Sequence, residues 1–168
     1  YHPGAMARWE EVDRAVPELG AAVRARFDAH RHKTLATLRA DGSPRISGTE
    51  ATFVGGDLWL WAMPRSRKAL GLQRDPRLAL HSSTADETMA QGDAKLSGRA
   101  FEVDDPAAAL ALLRAQQPGT EEPVSPGAFH LFRVDVSEIA PVRIGDPSDH
   151  LVIERWNERD GYERVERR

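Results

Sequence analysis

The sequence contains no cysteine, which excludes disulfide bonds, thiolate metal ligands and a cysteine nucleophile. It also lacks an excess of positive charge, because the formal net charge is −3 over 168 residues. That balance gives no indication of a nucleic acid or an anionic membrane as a partner. No apolar run is long enough to cross a bilayer, and no secretory signal is visible. We therefore expect a cytoplasmic protein whose partners include neither nucleic acid nor membrane.

The first five residues, Tyr-His-Pro-Gly-Ala, precede a natural initiator, Met6. We interpret residues 1–5 as a cloning scar and leave them out of the fold prediction. A chain of this length fits one domain of ordinary size and can bury a core without covalent cross-links. We expect residues 6–168 to form that single domain.

Three segments are predicted to be helical. The first covers residues 9–30 and is interrupted at Pro17, after which Leu19, Val23 and Phe27 recur four residues apart and form one buried stripe. The second covers residues 66–74, with Ser66 as its N-cap. The third runs from Pro106 to about Gln116, capped by Asp105.

Short strands joined by tight turns make up most of the remaining chain. Asp41-Gly42 and Gly55-Gly56 are hairpin turn signals, so the strands on either side of each turn must be antiparallel. This order predicts a mainly β, α+β fold: a small antiparallel barrel with an N-terminal helix and small peripheral helices. The predicted strands are residues 34–39, 45–54, 58–63, 77–82, 94–103, 129–139, 151–156 and 162–165.

Basic residues crowd the start of the second predicted helix. Arg65, Arg67 and Lys68 lie where the helix dipole is positive, and cations there are disfavoured by about 0.3–1 kcal/mol each at exposed sites. A bound anion would turn this conflict into a benefit, because free backbone N–H groups and the arginine forks would both hold it. A solvated basic turn is the alternative. The pattern indicates a phosphate site at the start of this helix.

The surrounding sequence resembles a known family. Residues 58–63 form a strand rich in Trp and Leu, Ser66-Arg67-Lys68 opens a helix, and Asp75-Pro76-Arg77 leads into the next strand. Together with the preceding Asp41-Gly42-Ser43-Pro44 hairpin, this set resembles the pyridoxamine 5′-phosphate oxidase-like family of FMN-binding split β-barrels, over about residues 30–103. The resemblance implies a split barrel that forms a homodimer with FMN in clefts between subunits. It further implies an oxidoreductase that transfers a hydride between the flavin and a small organic substrate.

Carried over residue by residue, the resemblance assigns the cofactor phosphate to Arg67 and Lys68, assisted by the Ser66 hydroxyl. Gly48 has two explanations, close approach of a flat ring to the backbone or a β-bulge. Trp61 and Lys95 have ordinary structural alternatives, barrel packing for the first and a solvated strand face for the second. The full set of predicted cofactor-binding residues is Arg45, Ile46, Ser47, Gly48, Trp61, Ala62, Met63, Ser66, Arg67, Lys68 and Lys95.

Two alternatives to FMN catalysis remain open. The family includes actinobacterial members that use a deazaflavin coenzyme, and the Ala-, Arg-, Gly- and Pro-rich composition resembles proteins from GC-rich genomes. Other split-barrel relatives bind haem or carry flavin without catalysis, and only His81 or His130 is available as an axial ligand. The family's substrate-binding pattern near the C-terminus is not reproduced, which argues against a true pyridoxine phosphate oxidase. The sequence indicates no metal site, no catalytic residue and no particular substrate.

Overall fold

The computed structural model describes residues 6–83, 88–116, 119 and 127–168. The predicted cloning scar, residues 1–5, lies outside these ranges. Helices and strands follow the predicted order. Their bounds are α1 Trp9–Ala15, α2 Pro17–Asp28, β1 Lys33–Leu38, β2 Pro44–Thr49, β3 Ala51–Val54, β4 Asp57–Ala62, α3 Arg67–Arg74, β5 Arg77–His81, β6 Asp93–Glu102, α4 Pro106–Gln116, β7 His130–Ile144, β8 Leu151–Asn157 and β9 Gly161–Arg167.

All the strands belong to one antiparallel sheet. Its main path runs β2-β1-β5-β6-β7-β4-β3. Outside this path, β8 pairs with the second half of β7 on one side and with β9 on the other. Among the described residues, the two end strands of this path, β2 and β3, are not paired with each other, so the sheet is not closed. This arrangement confirms the predicted α+β split-barrel fold.

One predicted strand, residues 45–54, is wrong, because the structure divides it at Glu50. The first part, β2, pairs with β1, whereas the second part, β3, pairs with β4. The chain therefore leaves one ladder and enters another at this point. Alternating hydrophobicity cannot reveal such a change of partner, because both parts keep an extended backbone.

The strand predicted at residues 129–139 is longer in the structure, where β7 continues to Ile144. Its second half pairs with β6 on one side and with β8 on the other. Pro141 lies in this extension, opposite Ala94. Proline is unfavourable in a central strand because it has no N–H group to donate to the ladder. The local sequence therefore does not predict the extension of β7, which depends on pairing with β6 and β8.

The main core lies on the inner face of the sheet. Leu35, Leu80 and Leu96 stand opposite one another on neighbouring strands and are almost fully buried. The predicted stripe of α2 covers this core, with Val23 and Phe27 buried, so that prediction is confirmed. Each such side chain contributes about 1.5–3 kcal/mol through burial. The helix in front of Pro17, α1, adds Trp9 and Val12 to the same cluster.

The opposite, outer face of the sheet carries small residues. Ile46, Ala36, Ala79 and Ser97 stand in register across β2, β1, β5 and β6, so they share one face. Ile46 is 75% exposed at the end of this row, and the other three are half-buried. Within the described part of the chain, the outer face therefore carries few bulky side chains in this row and includes a large apolar side chain in solvent. No helix in the described ranges is long and apolar enough to cross a membrane.

Candidate functional site

The start of α3 has the local structure that the sequence predicts. Ser66 is the N-cap, with an extended backbone, and its Oγ accepts a hydrogen bond from the backbone N–H of Ala69 at 3.4 Å. No acidic residue lies in the first turn. Just before the cap, Arg65 adopts a φ of +58°, a left-handed conformation that is uncommon outside glycine. The first turn at the dipole-positive end of α3 thus carries basic side chains and no acidic one.

Lys68 connects α3 to the edge strand β2. Its Nζ donates a hydrogen bond to the carbonyl oxygen of Gly48 at 2.9 Å. Partial burial lowers the pKa of Lys68 below its ordinary value, while the carboxylate of Glu50 acts in the opposite direction. An ammonium group has three donors, so Lys68 retains two for a ligand.

Arginine side chains line a cavity of about 400 Å³ between the β1–β2 turn and α3. Arg45 of β2 and Arg67 of α3, both predicted site residues, meet here. They are joined by Arg39 and Arg74, which the sequence prediction missed. Within the described residues, none of the four forms an ion pair with a carboxylate, although Asp41 also lines the cavity. The cavity is therefore positively charged.

The sequence contained one signal for the larger cluster. Arg67, Leu70 and Arg74 follow the i, i+3, i+7 spacing of one helix face, so Arg74 had to lie on the same side of α3 as Arg67. Arg39 carried no comparable signal. Its place beside α3 depends on how the β1–β2 hairpin packs against the helix.

The predicted residues of β2 lie on two different faces. Arg45 and Ser47 stand opposite Thr37 and Leu35 on the inner face, whereas Ile46 and Gly48 lie on the outer face. The β1–β2 register is continuous through Gly48, so the β-bulge explanation is wrong. A Cβ placed on Gly48 would meet nothing within 4 Å. Open space next to this backbone fits a flat ligand.

Lys95 lies on the outer face in the same row as Gly48, with Thr34 and His81 between them. Its Nζ is 3.2 Å from Asp93 Oδ1, and Asp93 Oδ2 is 3.1 Å from His81 Nε2. Lys95 therefore belongs to a charged cluster on β5 and β6. The structure gives it no contact with the arginine cavity.

The end of β4 supplies three predicted residues with different environments. Trp61 packs with Phe129, their ring centroids 6.0 Å apart, in a second apolar cluster that includes Leu112 of α4. Ala62 is buried and Met63 is 69% exposed. The packing alternative is therefore favoured for Trp61, while Met63 alone among these three offers its side chain to a ligand.

Neither histidine considered as a haem ligand is isolated. His130 Nδ1 lies 2.6 Å from Glu102 Oε1, and His81 contacts Asp93. Burial acts to raise the pKa of Glu102, but hydrogen bonds with Gln73 and His130 outweigh it and hold that pKa below its ordinary value. Among the residues that the structure describes, no three metal-binding side chains cluster together.

Solved structures show the same fold at low identity. PhzG from Burkholderia lata, crystallised with tetrahydrophenazine-1-carboxylic acid, is 15% identical over 94% of this chain and 92% of that one, with a TM-score of 0.62. A pyridoxamine 5′-phosphate oxidase-related, FMN-binding protein from Nostoc punctiforme is 17% identical over 94% and 95% of the two chains, with a TM-score of 0.57. An F420 reductase is 23% identical over 64% of this chain and 87% of that one, with a TM-score of 0.50.

A search of curated proteins finds no match. The model of the pyridoxamine 5′-phosphate oxidase family, in contrast, matches residues 19–143. This range contains most of the split barrel, the basic start of α3 and all of the arginine cavity. The chain therefore belongs to the pyridoxamine 5′-phosphate oxidase family.

Proposed function

We propose that this protein is a flavin-dependent oxidoreductase that holds the phosphate of FMN with Arg45, Arg67 and Lys68. One observation carries the proposal: two arginines without a carboxylate partner in the described chain meet in a cavity beside the start of α3, whose first turn contains no acid. Unpaired guanidinium groups and free N–H groups at a helix start together favour a phosphate. Membership of the family supports the same conclusion.

The chain's own residues would bind and orient the cofactor. Arg67 offers a planar fork for two phosphate oxygens, and Lys68 adds a point charge fixed by Gly48. Ser66 ends the extended segment and begins α3, which directs the free N–H groups of the first turn toward the ligand. Open space at Gly48 leaves room for a ring against β2. The bound flavin would supply the hydride chemistry, so the protein needs no acid–base pair of its own.

We also propose a homodimer that completes the cofactor cleft. The outer face of the sheet supports it, because Ile46 is 75% exposed next to a row of small residues. A row of small residues beside an exposed apolar side chain can pack closely against a second copy, which would also cover the unpaired edge of β2. Ile46 and Gly48 would then lie between the subunits.

A deazaflavin coenzyme is the second candidate for the same site. The similarity in fold to an F420 reductase favours it, and a phosphate on either cofactor suits the basic start of α3. Carriage of flavin or haem without turnover is the remaining alternative. The visible spectrum of the purified protein distinguishes flavin, deazaflavin and haem, and titration with each measures affinity.

The phosphate assignment is tested by replacing both Arg67 and Lys68 with alanine. We expect FMN to bind at least about tenfold more weakly, since each charge-assisted hydrogen bond contributes about 1.5–3 kcal/mol. Riboflavin, which has the same ring but no phosphate, should bind equally to both proteins. Arg159→Ala with Arg168→Ala is the matched control, because it also removes two positive charges, from side chains that are 81% and 82% exposed and far along the chain from the site.

Unchanged FMN affinity in the double variant would refute the phosphate site. Turnover is tested separately by supplying the loaded protein with nicotinamide reductants and small organic acceptors. If the bound cofactor is never reduced or reoxidised, the protein is a carrier and the catalytic part of the proposal fails.

A further inference from the structure

The arginine cavity holds more positive charge than a single phosphate neutralises. Arg39, Arg45, Arg67 and Arg74 line it, and Asp41 is the only carboxylate among the described residues that line it. The Asp41 carboxylate already accepts hydrogen bonds from Ser43, which hold its pKa below the ordinary value. A phosphate monoester carries about −2 charge at neutral pH. Positive charge therefore remains after the phosphate is bound.

Arg39 and Arg74 are fixed in place by the backbone. Arg74 Nη2 donates to the carbonyl oxygen of Leu38, and Arg39 Nη1 donates to the carbonyl oxygen of Pro44 and to Ser43 Oγ. Each of these contacts uses one N–H group of a guanidinium that has five. The remaining donors are available to a ligand in the cavity.

The cluster is distinctive because four arginines without a carboxylate partner among the described residues line one cavity. Arg8, Arg24 and Arg77, by contrast, each lie within 3 Å of a carboxylate. The four cavity arginines have no such partner among the described residues. The cavity also has room for a second group, since about 400 Å³ is more than ten times the roughly 30 Å³ share of one water molecule.

We propose that this cavity binds a second anionic group, a carboxylate or phosphate, in addition to the phosphate of the cofactor, and that Arg39 and Arg74 hold it. This inference rests on the proposed function, because Arg67 lies at both places: it opens α3 and lines the cavity. The anion comes from one of two sources. It is either part of a cofactor that carries several anionic groups or a separate small anion bound beside the cofactor.

The test replaces Arg39 and Arg74 together with glutamine. Both side chains are exposed, so the fold should tolerate the change. The double variant Arg159→Gln with Arg168→Gln, at side chains 81% and 82% exposed, controls for the loss of two positive charges. Three measurements follow on each protein: the affinity for FMN, which has one phosphate; the affinity for the deazaflavin coenzyme, which has carboxylates as well; and the affinity of the FMN-saturated protein for citrate. Citrate binding to the cofactor-free protein is measured in parallel.

A loss of at least about tenfold in deazaflavin affinity, with a several-fold smaller loss for FMN, assigns the anion to the cofactor. A comparable loss of citrate binding, with several-fold smaller losses for both cofactors, assigns it to a separate molecule. If the double variant changes none of the three affinities, the inference is wrong. It is also wrong if FMN loses as much affinity as the others, because the cavity then holds the first phosphate alone.

These outcomes separate this inference from the proposed function. If the variant lacking Arg67 and Lys68 loses FMN binding while changing Arg39 and Arg74 has no effect, the proposed flavin site is supported and the second anion is refuted. If the wild-type protein binds neither flavin nor deazaflavin, the proposed function is refuted. Citrate binding to the cofactor-free protein then still tests whether the cavity binds an anion.

Discussion

Two glycines within strands offer a paired test of the fold and the site. A Cβ added to Gly98 would lie 2.2 Å from the carbonyl oxygen of Asp135, at the register shift between β6 and β7. A Cβ added to Gly48 would meet nothing within 4 Å. The same substitution, glycine to alanine, should therefore act on stability at one position and on ligand binding at the other.

The magnitudes follow from the two environments. Alanine at position 98 forces backbone atoms apart in a packed sheet, which typically costs about 1–3 kcal/mol. Alanine at position 48 fits without strain and reduces the entropy of the unfolded chain, which stabilises by about 0.4–1 kcal/mol. The free energies of unfolding of the two variants should thus differ by at least about 1.4 kcal/mol.

Urea denaturation of the cofactor-free proteins, followed by tryptophan fluorescence, measures the stability difference. A titration with FMN then measures binding. Gly48→Ala should bind FMN at least about tenfold more weakly, because its methyl group occupies the space next to the β2 backbone. Gly98→Ala, where it remains folded, should bind with an affinity close to that of the wild type.

Either half of this reasoning can be refuted. If Gly98→Ala is as stable as the wild type, the close approach of β6 to Asp135 does not constrain that position. If Gly48→Ala is stable and binds FMN normally, the cofactor ring does not lie against the outer face of β2.

Two further predictions concern pH and assembly. A hydrogen bond from Arg77 holds the pKa of Asp75 at about 2, so this carboxylate stabilises the fold above its unfolded pKa and loses that effect as the pH falls. Asp75→Asn should lower the urea midpoint near neutral pH, and the gap to the wild type should close between about pH 4 and pH 2; a gap independent of pH would contradict this. Ile46→Lys should convert a dimer into a monomer of 18.6 kDa in sedimentation experiments, and a variant that stays dimeric would show that the outer face of β2 is not the interface.

Much of the fold could be predicted because its signals are local. The Asp41-Gly42 turn fixes an antiparallel pair, and Pro17 and Ser66 each mark the start of a helix within one turn of its observed position. The basic start of α3 was visible for the same reason: the conflict between the helix dipole and Arg67 involves only neighbouring residues.

The parts that were missed or wrong depend on partners distant in sequence. The division of residues 45–54 at Glu50 reflects a change from β1 to β4 as the neighbouring ladder. The full length of β7 depends on β8, and a proline in its second half contradicts the local rule. No window of sequence contains both members of such a pair.

The candidate site shows the same division. The sequence by itself determined that a basic helix start follows a Trp-rich strand, and that this combination suits a phosphate. Only the tertiary structure brought Arg39 and Arg45 of the hairpin against Arg67 and Arg74 of α3, and only strand register placed Gly48 and Lys95 on the outer face. Residue type and local spacing decide which ligand chemistry is available, whereas the packing of a hairpin on a helix decides how many charges share one cavity.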